Sequence, residues 1–171
     1  MKVLNLISGP GYGKSTLASK LFVDLKCQHK KVELVTEFAK DLVYEDRNQA
    51  LINQIYVFGN QLQRLKRLEG KIDIAIVDSP LILSCIYGRG LVPESFNKLA
   101  LDVFNSFNNY NFCLKKQTSF QSYGRIHNET ESNQRHEEIL QFMVDCKLPF
   151  YIIDPTSEIE QQGILEIINE T

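Results

Sequence analysis

The sequence predicts an α/β fold in which five parallel strands form a sheet covered by helices on both faces. Three observations predict it. Apolar runs of strand length alternate with runs at helical spacing along the chain. The first strand pattern, Val3-Leu4-Asn5-Leu6-Ile7, leads directly into Ser8-Gly9-Pro10-Gly11-Tyr12-Gly13-Lys14-Ser15-Thr16 and then into a helix pattern. The third strand pattern ends in Asp78. Parallel strands joined by helices make a three-layer sheet, with ligands beyond the carboxyl ends of the strands.

Strand, glycine-rich turn, Gly-Lys-Ser and helix together are the context of a phosphate-binding P-loop. The glycines let backbone N–H groups wrap a phosphate, and the new helix adds its positive end. Gly9, Gly11, Tyr12, Gly13, Lys14, Ser15 and Thr16 are therefore the expected nucleotide-binding residues. Tyr12 is counted with the loop that contains it, and no contact of its own is assigned. Lys14 is expected to reach the β- and γ-phosphates of ATP, and Ser15 to ligate Mg²⁺. Counting back from Gly13-Lys14, the first glycine of the pattern falls on Ser8.

The remaining elements follow in order. The first helix begins over Leu17-Ala18-Ser19-Lys20-Leu21-Phe22. A second strand is expected at Lys31-Val32-Glu33-Leu34-Val35-Thr36. Residues 48–69 read as one long helix, with Leu51, Ile55, Phe58, Leu62, Leu65 and Leu68 at helical spacing and Gly70 ending it. Ile72-Asp73-Ile74-Ala75-Ile76-Val77 is the third strand, apolar as a strand covered on both faces should be. A helix is expected over 93–108, from Pro93 onward. The fourth and fifth strands are Asn111-Phe112-Cys113-Leu114 and Phe150-Tyr151-Ile152-Ile153, with helices over about 130–146 and 157–169. Residues 116–130 are polar and read as a lid loop.

A chain of 171 residues, 43% hydrophobic and 23% charged, suits a single domain over 1–171. No apolar run approaches a membrane span, and the N-terminal apolar stretch leads into the P-loop, so a cytoplasmic protein is expected. The four cysteines are scattered without a C-x-x-C pair and read as small buried residues in a reducing compartment. A net charge of −2 excludes a global attraction to nucleic acid, though not a local basic groove. Nothing in the sequence sets the oligomeric state.

Two carboxylates stand at strand ends. Asp78 closes an apolar strand as a Walker B residue does, and is expected to support Mg²⁺ with Ser15. The competing reading is a helix cap before Pro80. Glu37 ends the second strand, where it could accept the proton of an acceptor hydroxyl. The competing reading is a charge at a helix N-terminus, and Asp41 is a second candidate. Gln61 and Arg64 share a helix face. They could contact an acceptor base and phosphate, or belong with Arg67 to a solvated stripe. Arg125, beside Gly124 in the lid, is the expected catalytic cation, with Arg135 in reserve. Lys115 and Lys116 read equally well as surface charges. Phe38, Tyr44, Tyr56 and Phe58 could stack on a base or pack the core.

The P-loop, Thr36-Glu37-Phe38-Ala39-Lys40-Asp41-Leu42-Val43-Tyr44-Glu45, Asp78-Ser79-Pro80-Leu81-Ile82-Leu83-Ser84 and the Gly124-Arg125 loop occur in that order. In this the chain resembles the small P-loop kinases of bacteriophages, relatives of the nicotinamide ribosyl kinase and thymidylate kinase groups. Within that set it looks most like the phage kinases of 5-hydroxymethyluracil in DNA. The resemblance implies a nucleotide-kinase-like fold and ATP–Mg²⁺ as donor. It also implies Glu37 near a nucleoside-type acceptor hydroxyl, a lid with Arg125, and a host cytoplasmic location. A lid with one clear arginine argues against a monophosphate acceptor. Two other functions remain open on sequence: a kinase of a free nucleoside or nucleotide, which a pI of about 5.9 favours over DNA, and an ATP-dependent switch without an acceptor.

Overall fold

The computed structural model describes residues 1–116 and 129–170. Five strands, β1 (Lys2–Ile7), β2 (Val32–Val35), β3 (Ile74–Val77), β4 (Asn108–Leu114) and β5 (Tyr151–Ile153), form one sheet in the order β2-β3-β1-β4-β5. Every pairing is parallel, and Lys2 lies opposite Ile74 on one side and Asn108 on the other. The helices are α1 (Lys14–Cys27), α2 (Phe38–Tyr44), α3 (Asn48–Ile52), α4 (Gln54–Lys66), α5 (Leu83–Tyr87), α6 (Glu94–Asn105), α7 (Glu129–Asp145) and α8 (Glu158–Glu170). The expected α/β class, strand count and topology are all present.

Side chains alternate across the sheet, which sorts the core into two layers. Val3, Ile7, Ala75, Val77 and Cys113 face the layer built by α4, α5, α6 and α7. Leu4, Leu6, Ile74, Ile76, Phe112 and Leu114 face α1 and α8, where Leu17, Leu21, Ile164 and Ile168 cover them. Burying each such side chain contributes roughly 1.5–3 kcal/mol, so both layers stabilise the sheet that presents its carboxyl edge to the site. Two buried polar residues, Asn5 of β1 and Asn111 of β4, interrupt the apolar pattern of the sheet. Asn5 donates to Asn109 and Asn111 of β4, both at 2.9 Å, which satisfies it and fixes the β1–β4 register.

The long helix expected over 48–69 is instead two helices. The apolar spacing runs through the break, but Asn53 leaves helical geometry at ψ 86° and its Oδ1 accepts the Tyr56 N–H at 3.1 Å. An asparagine cap thus restarts the helix despite an uninterrupted apolar stripe. The helix ends at Lys66, and Gly70 (φ +72°) completes the turn that follows. The cysteine expectation also needs correction: Cys85 and Cys113 are buried, but Cys27 is exposed.

Candidate active site

The P-loop connects β1 to α1 at the carboxyl edge of the sheet. Gly11 (φ 90°) and Gly13 (φ 85°) take left-handed conformations that a side chain would strain, and Gly13 is the N-cap of α1. Ser8, standing for the first glycine of the motif, is buried and needs no left-handed backbone. The described non-glycine residues with positive φ are His29, Asp46 and Lys147. Lys14 folds over the loop. Its Nζ donates to the Ser8 carbonyl at 3.0 Å, the Gly9 carbonyl at 2.9 Å and the Ser8 hydroxyl at 3.3 Å.

Asp78 follows β3, next to β1, so it reaches the start of α1. Ser15 Oγ donates to Asp78 Oδ2 at 2.7 Å. Asp78 does not cap a helix, because α5 begins at Leu83 with Ile82 as its N-cap. Its Oδ1 is buried and has no hydrogen-bond partner among the described residues. A buried carboxylate oxygen without a donor, beside a serine hydroxyl at a P-loop, fits the demand of a hard cation for oxygen ligands.

Glu37 follows β2 and stands at the N-cap of α2, yet its side chain makes no capping hydrogen bond. It lines a cavity of about 380 Å³ together with Pro10, Gly11, Gly13, Lys14, Ser15, Thr16 and Asp78. Burial pushes the Glu37 carboxyl above the usual range. Lys14 and Lys40 pull it down, while Asp78 and Asp41 add to the rise. The rest of the cavity lining is mostly apolar, with Val43, Leu51, Val57, Leu83 and Leu91, and Gln54, Ser84 and Tyr87 among them. Gln54 is a lining residue the sequence did not single out. One of its amide N–H groups holds the Leu51 carbonyl at 2.9 Å.

Gln61 and Arg64, expected at the acceptor, have their hydrogen-bonding groups engaged within the chain. Gln61 does line the cavity, but its Oε1 accepts the Phe38 N–H at 2.9 Å and its Nε2 donates to the Thr36 carbonyl at 3.3 Å. Arg64 donates to Thr36 Oγ1 at 3.0 Å and forms an ion pair with Asp41. The expected shared face exists, but it holds the segment that carries Glu37. Asp41 is thereby paired, and Glu37 is the carboxylate of the two that faces the cavity.

The four aromatic candidates for base stacking also lie elsewhere. Phe58 packs on Phe96 in the core, Phe38 on Tyr56, and exposed Tyr44 under Lys40. Tyr87 is the aromatic residue that lines the cavity. Arg135 sits 5.2 Å over the Tyr87 ring and pairs with Glu138 at 2.6 Å. Lys115 and Lys116 pair with Glu160 and Glu129 at the surface. Arg125 and most of the expected lid lie outside the described residues.

Helix α7 meets the outer side of the P-loop through residues that no local pattern marks. Tyr12 turns away from the loop's concave side, stacks on His136 with ring centroids 4.3 Å apart, and donates to Asn133 Oδ1 at 3.1 Å. The Gly9 N–H donates to His136 Nδ1 at 3.3 Å, and Ser132 Oγ donates to the Pro10 carbonyl. Tyr12 therefore contributes to the loop through α7.

Residues 4–161 match the model of the AAA domain family, and the chain belongs to that family of P-loop proteins. No curated protein sequence matches it significantly. Among solved structures it is similar to a NadR protein in complex with NR, at TM-score 0.71 and 15% identity. That match covers 98% of this chain and 52% of the NadR chain. The chain thus spans about half the length of that relative. It is also similar to the deoxyadenosine kinase of M. mycoides, with products dCMP and dCDP bound or with dATP bound. Both of these have TM-score 0.56, identities of 18% and 17%, and full coverage of both chains. The fold is accordingly of the nucleoside-kinase type: a parallel five-stranded sheet between helices, with the P-loop after its central strand. No helix of the described residues is long and apolar enough to cross a membrane.

Proposed function

We propose that this chain is an ATP-dependent kinase that phosphorylates the hydroxyl of a nucleoside-type acceptor. One observation carries the reading. The P-loop, the Ser15–Asp78 pair and Glu37 line the same cavity, and the rest of that cavity is a mostly apolar recess. A switch that only binds and hydrolyses ATP has no need of such a recess. The likeness in fold to a deoxyadenosine kinase supports the same reading.

Ser15 and Asp78 would hold Mg²⁺, which when bound neutralises phosphate charge on the donor. Lys14 leaves its resting carbonyl contacts and binds the β- and γ-phosphate oxygens, where negative charge moves during transfer. The backbone amides from Gly11 to Thr16 hold the β-phosphate. Glu37 accepts the acceptor's hydroxyl proton as that oxygen bonds to the γ-phosphorus. The bond from the γ-phosphorus to the bridging oxygen breaks, and ADP leaves with that oxygen. Gln54 offers its amide oxygen to an N–H or O–H of the acceptor, and Val57 and Leu83 cover its flat apolar part.

The acceptor is read as uncharged. Beyond the P-loop, Lys40 is the one cation among the described lining residues, and it lies close enough to Glu37 to favour that group's ionised form. A monophosphate would be expected to find more positive partners. A second reading keeps the modified base in DNA that the phage-kinase resemblance implies. The exposed Ile52 and Leu91 on the cavity lining favour it, since apolar groups at a mouth suit an extruded base. Incubation with γ-labelled ATP and a panel of free nucleosides, monophosphates, plain DNA and hydroxymethyluracil-containing DNA separates these readings. Label on a free nucleoside supports the first and label on modified DNA the second. Brisk hydrolysis with no labelled acceptor overturns both.

A further inference from the structure

We propose that His136 is a positioning residue of the donor site: its neutral imidazole fastens α7 to the back of the P-loop and so sets the loop's shape for ATP. The proposal rests on the donor-site reading above. Ser132, Asn133 and His136 lie on one face of α7, separated by one and three residues, and each contacts a different loop residue. Gly9 shows how close the approach is. A Cβ there would stand 2.5 Å from the Ser132 carbonyl oxygen and 3.2 Å from His136 Cβ. The helix therefore abuts bare backbone, and the loop cannot shift without carrying α7 or breaking these bonds.

The chemistry of the contact is specific. His136 Nδ1 accepts the Gly9 N–H, so that nitrogen must carry a lone pair and the ring proton must sit on Nε2. The imidazole is buried and stacked on Tyr12. A protonated ring has no acceptor at Nδ1 and would set two N–H groups against each other. Among the described residues, the groups around it are Tyr12 from the loop, Lys14 from α1, Glu137 on its own helix, and Cys113, Lys115 and Lys116 from the end of β4. Burial holds the His136 pKa below its ordinary value. Glu137 opposes this and Lys14 reinforces it. The clamp is therefore complete above the ordinary histidine pKa. It is lost as pH falls through that value and then through the lower value of the docked ring.

The test is ATP affinity of the full chain by titration calorimetry, without acceptor, at about pH 8 and about pH 5.5, either side of the ordinary histidine value. His136→Phe keeps a ring for Tyr12 but leaves the Gly9 N–H unpaired, and should weaken ATP binding about tenfold at the higher pH. His136→Asn keeps an acceptor where Nδ1 stands and cannot titrate. It should bind within about threefold of wild type at the higher pH, and should lose much of the wild-type fall on acidification. ATP's own protonation is common to all proteins and drops out of the comparison. A folded Phe variant that binds within about twofold of wild type overturns the proposal. So does an Asn variant whose affinity falls with acid as steeply as wild type. If the Phe variant fails to fold, the Asn series decides alone. A wild-type chain that binds no ATP overturns the donor-site reading itself, and this inference with it.

Discussion

Ser15 and Asp78, 63 residues apart in sequence, meet at 2.7 Å at the carboxyl edge of the sheet, and the second carboxylate oxygen of Asp78 is left buried without a partner among the described residues. The contact follows from topology. β3 lies directly beside β1, so the residue after β3 faces the helix that opens after β1. Asp78→Asn should keep the fold, since the amide still reaches Ser15. The thermal midpoint without metal should change little, while the extra stabilisation by Mg²⁺ with ATP should fall away. Metal affinity should weaken by roughly tenfold or more. Thermal melts with and without Mg²⁺ check this, and an undiminished Mg²⁺ increment would reject Asp78 as a metal residue.

Lys14 rests against the Ser8 and Gly9 carbonyls and the Ser8 hydroxyl, within reach of the loop it serves. Lys14→Ala removes a cation from the path of the transferring phosphoryl group. Turnover should fall roughly a hundredfold or more, with far-UV circular dichroism unchanged. Near-normal turnover in the folded variant would contradict the donor site.

The latch between α4 and the Glu37 segment gives a prediction opposite to that of an acceptor contact. Gln61→Leu leaves the Phe38 N–H and the Thr36 carbonyl without their partner, at a cost of about 1–3 kcal/mol in stability. Arg64→Ala breaks a half-exposed pair with Asp41, costing less, about 1 kcal/mol after solvent screening. Denaturant unfolding should rank the two in that order. If Gln61→Leu were as stable as wild type and only raised the acceptor KM, Gln61 would be an acceptor residue after all.

What was legible in the sequence was local. The P-loop declares itself because strand, turn and helix are consecutive, and Asp78 and Glu37 stand out because each follows a strand pattern directly. The break at Asn53 was hidden, since the apolar stripe continues across it and only a side-chain cap marks it. Gln61 and Arg64 were correctly placed on one face, but what that face packs against is a tertiary fact. The contact of Ser132, Asn133 and His136 with the P-loop spans more than 120 residues and leaves no local mark.

Glu37 gives the prediction that separates a kinase from a switch. The carboxylate lines the cavity, makes no capping bond and is raised in pKa chiefly by burial. It can take a proton only when ionised, and a raised pKa places that ionisation above the usual carboxylate range. The kcat for transfer at saturating ATP should therefore be low in acid and rise through an elevated midpoint as Glu37 loses its proton. Glu37→Gln should bind ATP as wild type does, lose roughly a hundredfold or more in transfer, and show no such acid limb. His136 acts on ATP affinity, so saturating ATP keeps its titration out of this profile. Slow ATP hydrolysis without acceptor should survive the substitution, because water needs no positioning from the acceptor side. The two activities then part in one variant. If hydrolysis and transfer fall together, Glu37 acts on the donor; if the acid limb persists in the glutamine variant, another group is the base.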